Sequence, residues 1–81
     1  MRVIQPSLFL IMKRFPDRKS ALRQKYRSSE SFQSLCSNYQ KCTKALDHWA
    51  KSEHEEAANR HLEYATLLQE LELEIIQSLE Q

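Results

Sequence analysis

From residue 7 to residue 79 the apolar positions of this chain recur at intervals of three and four, the spacing that gathers them on one side of an α-helix. Leu8, Ile11, Met12 and Phe15 predict a first short helix over about 7–15. Pro16 ends it, because a proline disfavours helical geometry at the residue before it and has no N–H to donate. Asp17 is placed to cap a second helix over about 17–27, with Ala21, Leu22 and Tyr26 on its inner side. Serines then cluster at Ser28-Ser29-Glu30-Ser31, where side-chain hydroxyls favour caps over helix interiors. Phe32, Leu35, Tyr39, Cys42, Leu46 and Trp49 follow in a regular seam, widened on one side by Cys36, Thr43 and Ala50, and predict a third helix over about 30–51.

Ser52-Glu53-His54-Glu55 has the S-x-x-E form of a capping box and predicts a fourth helix over about 53–79. Its three leading glutamates, Glu53, Glu55 and Glu56, suit the positive end of a helix dipole. So short a connection sets helices three and four antiparallel. The predicted fold class is therefore all-α: one domain over 1–81, a long antiparallel helical hairpin preceded by one or two short helices, with residues 1–6 a loose end.

Helix four carries more apolar surface than one neighbour can cover. Ala57, His61, Tyr64, Leu68, Leu71, Ile75 and Leu79 form the seam expected to face helix three. At about 100° per residue, Ala58, Ala65 and Ile76 lie roughly 90° around from that seam, with Leu62 and Leu73 further on the same side and Leu67 on the other. The stripe Ala58, Leu62, Ala65, Leu73, Ile76 is the candidate partner interface. It calls either for the N-terminal helices of the same chain or for another chain, a second copy in a homodimer or a different protein.

Composition changes this picture in two ways. The 81 residues include no glycine, and neither glycine nor proline occurs from Asp17 to Gln81, which removes the usual punctuation of strands and tight turns. Charge is also unevenly placed. Residues 1–27 hold eight basic side chains against Asp17, while residues 53–81 hold eight glutamates against Arg60. Within the basic head, Lys13, Arg14, Arg18, Arg23, Lys25 and Arg27 are the candidate contacts for an anion or an acidic partner, and Tyr26 could stack on a base. The head attracting the acidic tail, within one molecule or across a dimer, is the favoured of the two readings. A helix-turn-helix reader would open its second helix with basic or amide side chains, whereas here that helix opens with Ser31, Phe32, Gln33 and Ser34, so nucleic acid is the less favoured partner.

Candidate chemistry is sparse. His54 and His61 are about 10 Å apart along one helix, too far to share an ion, and His48 lies on another. Glu70, Glu72 and Glu74 read as a solvated acidic face, with no Glu-x-x-His motif beside them. There is no Gly-rich loop, nucleophile elbow or CxxC pair. The expectation is a non-enzyme with no cofactor and no catalytic or metal site. Cys36 and Cys42 point about 240° apart on a helix, which fits two free thiols in a reducing cytoplasm. The run Leu8–Met12 is closed at once by Lys13 and Arg14, too short for a membrane span or for the apolar region of a signal peptide. Trp49, Phe32, Tyr39 and Tyr64 read as core, with Trp49 near enough to the hairpin turn for partial exposure.

Arg14-Phe15-Pro16-Asp17-Arg18, the F-x-x-L-C-x-x-Y of Phe32 to Tyr39, the A-L-x-x-W of Ala45 to Trp49 and the stretch Glu63 to Ile75 together resemble a group of small bacterial helical proteins with no assigned activity. The resemblance spans about residues 14–76. It implies a helical hairpin with an N-terminal helical extension and brings no catalytic residues. The sequence thus points to a non-catalytic interaction or regulatory accessory module, with a small nucleic-acid-binding protein as the alternative.

Overall fold

Pro16 sets the first break in the chain. In the computed structural model, which describes residues 6–80, Phe15 has φ −125° and ψ 71°, away from helical geometry as a following proline requires. Helix α1 (Pro6–Arg14) stops before it, a 3₁₀ turn (Pro16–Arg18) intervenes, and α2 (Lys19–Ser28) follows. Ser29 is extended and its Oγ accepts from the Phe32 N–H at 3.2 Å, a cap that typically stabilises a helix by about 1 kcal/mol. It opens α3 (Glu30–Lys51), and α4 (Ala57–Leu79) completes an all-α architecture with no strand among the described residues. The loose end expected over residues 1–6 lies outside the described residues except for Pro6, which opens α1, a position where its missing N–H costs nothing.

Two predicted caps do not form. Asp17 lies inside the 3₁₀ turn, and α2 starts at Lys19 with no side-chain cap. Ser52 does not build a capping box with Glu55. Its hydroxyl accepts from the His54 N–H at 3.1 Å, two residues on, the local turn that serine offers in competition with a helix. The chain then turns through His54, whose carbonyl receives the Ala57 N–H at 3.0 Å, and α4 begins four residues later than the S-x-x-E pattern places it. Glu53, Glu55 and Glu56 consequently sit in the turn that precedes the helix rather than in its first turn.

The hairpin of α3 against α4 is the main packing interface. Both N-terminal helices pack chiefly on α3; α2 also meets α4, while α1 does not run along it. The core comes from all four helices, with Ile11, Leu22, Cys36 and Ile75 its most fully enclosed side chains. On α3 the buried stripe is rotated from the predicted seam: Cys36 is fully buried whereas Leu35, Leu46 and Trp49 are half-buried. The reason is that α1 and α2 occupy the Cys36 side of α3, so α3 is covered from two directions and α4 from little more than one. The predicted α4 seam is buried or half-buried except at His61, which is exposed.

Candidate functional site

The outer side of α4 is the least covered apolar surface of the fold. Leu62 and Leu73 are 67% and 58% exposed. Ala58 is exposed too, and Ala65 and Ile76 are half-buried. The five residues expected to need a partner therefore lie along one side of α4, and the N-terminal helices do not close over them. Leu67, on the opposite flank, is exposed and borders a shallow groove with Asn38, Lys41, Cys42, Tyr64 and Leu71 between the hairpin helices.

Glu72 marks the inner edge of this surface and departs from the solvated acidic face predicted for it. Its side chain is 16% exposed. It accepts from the Arg14 Nε–H at 2.9 Å and from the Tyr39 hydroxyl at 2.8 Å, while Glu70 and Glu74, more than 100° away around the helix, remain exposed. The hydrogen bond to Glu72, and then its charge, raises the Arg14 pKa. Burial, with that hydroxyl bond second, pushes Tyr39 well above the usual tyrosine range. Attraction between basic head and acidic tail is thus realised inside one molecule, and among the described residues at this one ion pair.

The remaining basic residues are differently engaged. Lys13 lies 5.8 Å over the Phe9 ring, and Lys25 is half-buried in a groove that also holds Glu74 and Gln77. Arg18, Arg23 and Arg27 are exposed. Between Arg18 and Ser28 five cations face no acidic residue in sequence, and none of them forms an ion pair among the described residues. Ser20, Arg23, Gln24 and Arg27 share the outer side of α2. Tyr26 is half-buried, and its carbonyl accepts from the Gln33 side chain at 2.7 Å.

The groups that could carry chemistry are scattered. His48, His54 and His61 are exposed; the first two flank the half-buried Trp49 at ring-centroid distances of 5.0 and 6.4 Å in edge-on geometry. Among the described residues no three of His, Cys, Asp or Glu converge to hold a metal ion, and no helix is long and apolar enough to cross a membrane. Both cysteines are free and buried. Burial pushes the Cys36 thiol up to about 12 and raises Cys42 as well, the opposite of the lowered pKa that activates a nucleophilic thiol.

The raised Cys36 and Tyr39 values make stability depend on alkaline pH. The unfolded chain loses the thiol proton near pH 9 and the phenol proton near pH 10, while the folded chain keeps both. Their contribution is full below pH 9 and is lost as pH rises through 9 towards 12. The urea midpoint is expected to hold between pH 7 and 8.5 and to fall steadily above 9, with a shallower fall in Cys36→Ala. An equal alkaline slope in that variant would exclude the thiol as a cause.

No family model matches the chain, and no match is found for it among curated proteins or solved structures.

Proposed function

We propose that this protein is a non-catalytic helical interaction module, an accessory or regulatory binder whose working surface is the open side of α4. The observation that carries this reading is the exposure of Leu62 and Leu73 on a helix whose other apolar side is already committed to α3. Contiguous apolar surface left to solvent is unfavourable for a monomer unless something covers it. A second support is the state of the thiols, which are protonated and enclosed rather than poised to react.

The test is retention of a protein from an extract of the native host on immobilised wild-type chain, compared with Leu62→Glu/Leu73→Glu. Both positions are exposed, so the double variant should keep its helix content by circular dichroism. A partner held equally well by both chains would show that the working surface lies elsewhere.

The unpaired cations of α2 favour one second reading, binding of a nucleic-acid backbone. Ser20 to Arg27 covers about 10 Å of helix, roughly three nucleotide steps along one strand, and arginine forks suit phosphate oxygens. On this reading a fluorescent oligonucleotide binds at about 20 mM salt with an affinity that falls steeply as salt rises, and Arg23→Ala/Arg27→Ala reduces the salt slope by about two. Absence of binding at low salt removes it.

A further inference from the structure

We infer that α1 and the adjoining edge of α3 dock on the surface of an anionic lipid bilayer, with the Phe9 ring at the boundary of headgroups and acyl chains and with Lys13 and Lys44 beside lipid phosphates. This contact is separate from the open side of α4 and from the outer side of α2.

The apolar part is Phe9. Pro6, Phe9 and Lys13 lie across α1 from the buried Leu8 and Ile11. Phe9 is 53% exposed, and with Leu10 and Thr43 it borders an open groove between α1 and α3. The Thr43 hydroxyl already donates to the Tyr39 carbonyl at 2.8 Å, so lipid laid over it strands no donor. An aromatic ring on the outer side of a short helix, with cations at its flank, is the arrangement by which helices seat themselves in a lipid interface.

Charge selects an anionic surface over a neutral apolar partner. Lys13 and Lys44 stand on the two walls of the groove, both exposed, and neither forms an ion pair among the described residues. Asp47 also borders the groove, but Lys51 Nζ lies 3.1 Å from its carboxylate. Lys13 Nζ is 5.8 Å from the centre of the Phe9 ring. Its apolar stem can therefore follow the ring inward while its ammonium stays at the level of the phosphates. Phosphates spread over a plane meet both lysines without a matched set of acidic side chains opposite them.

The distribution of charge over the whole molecule sets the orientation. Residues 6–51 hold ten basic side chains against three acidic ones, and residues 52–80 hold Arg60 against eight glutamates. Lys44 projects about 160° around α3 from Cys42, whose thiol donates to the Tyr64 carbonyl of α4. Docking through Phe9 and Lys44 therefore turns the acidic α4 away from the negative surface, the direction in which the molecular dipole aligns.

One ring and two lysines amount to less than an acyl chain, so the expected partition coefficient is about 1,000 M⁻¹, below the roughly 10,000 M⁻¹ of a single myristoyl group. Co-sedimentation with vesicles of equal parts phosphatidylglycerol and phosphatidylcholine at low salt tests it. About half of the chain should be bound at about 1 mM lipid, with little bound to pure phosphatidylcholine and release by about 0.5 M salt. Phe9→Ala should bind about tenfold more weakly, and Lys13→Gln/Lys44→Gln about 25-fold more weakly, about fivefold for each lysine. These positions are exposed, so unchanged circular dichroism is expected of both variants. Leu62→Gln/Leu73→Gln, which alters the open side of α4 without altering charge, should bind like wild type. No binding to the anionic vesicles overturns the proposal, as does equal binding to neutral ones, or a loss in the leucine variant with none in Phe9→Ala. Binding to polyglutamate through the same lysines, with none to vesicles, would make the partner an acidic protein and overturn the bilayer reading.

Discussion

Ile75→Ala is expected to lower the midpoint of thermal unfolding by more than about 10 °C. Ile75 is fully enclosed, on the side of α4 that faces α3, in the core cluster that Leu22 of α2 also joins. Removing three carbons from such a site costs about 2–5 kcal/mol in lost burial and residual cavity. A chain of this length has a total stability of only about 3–5 kcal/mol, and 1 kcal/mol corresponds to about 4–8 °C for a domain of this size. The variant should therefore be largely unfolded near 37 °C. Leu73→Ala is the internal control. It lies two residues away on the same helix but is mostly exposed, and it should shift the midpoint by under about 4 °C, corresponding to no more than about 0.5 kcal/mol. Melts followed by far-ultraviolet circular dichroism at low micromolar concentration check both, and equal losses would mean that the packing of α4 is not as described.

Glu72→Ala is the second large effect, expected at about 1–3 kcal/mol. Two interactions end at this carboxylate, and they differ in worth. The Arg14 side chain is 57% exposed, so its ion pair is screened and contributes little. The Tyr39 hydroxyl is enclosed, since Tyr39 as a whole is 4% exposed, and removing its acceptor leaves a buried donor with no partner. Glu72→Gln keeps an acceptor at that position and loses only the charge, so it should cost less than half as much as Glu72→Ala. Urea denaturation of the two variants and of Tyr39→Phe decides the matter. If Glu72→Gln is as damaging as Glu72→Ala, the ion pair and not the hydroxyl bond is the stronger contact.

The contrast between Ile75 and Glu72 also shows how far the fold can be read from residue order. Ile75 belongs to a seam of period three and four, and periodicity is a local property, so the hairpin, its helix types and most of its buried positions follow from spacing alone. The break at Pro16 and the cap at Ser29 are equally local and are found where the residues place them. Glu72 is different. It meets Arg14 across fifty-eight positions and Tyr39 across thirty-three, and no local pattern separates it from Glu70 and Glu74, which stay in solvent. The start of α4 differs from the S-x-x-E expectation for another reason: Ser52 has two competing uses, a capping box or a tight turn with His54, and the sequence signature is the same for both. The rotation of the buried stripe on α3 towards Cys36 depends on where α1 and α2 dock, which spacing within α3 does not encode. As for the outer side of α4, its apolar excess was visible in the sequence. Its openness was not, because that follows from the N-terminal helices choosing α3.

The placement of the two thiols gives the molecule a pair of internal reporters of local opening. Cys42 donates to the Tyr64 carbonyl of α4 at 3.3 Å, inside the hairpin interface. Cys36 lies on the side of α3 shared with Gln40 and Thr43, which border α1. A thiol-specific reagent reaches Cys36 when the N-terminal helices detach and Cys42 when α3 and α4 part. The rate at each cysteine, with the other replaced by alanine, therefore measures a separate opening free energy. Equal rates would mean that the N-terminal helices and the hairpin come apart as one cooperative unit. Faster labelling at Cys36 would mean that the hairpin outlives the loss of its cover, and that α1 and α2 are a detachable layer over a more persistent pair of helices.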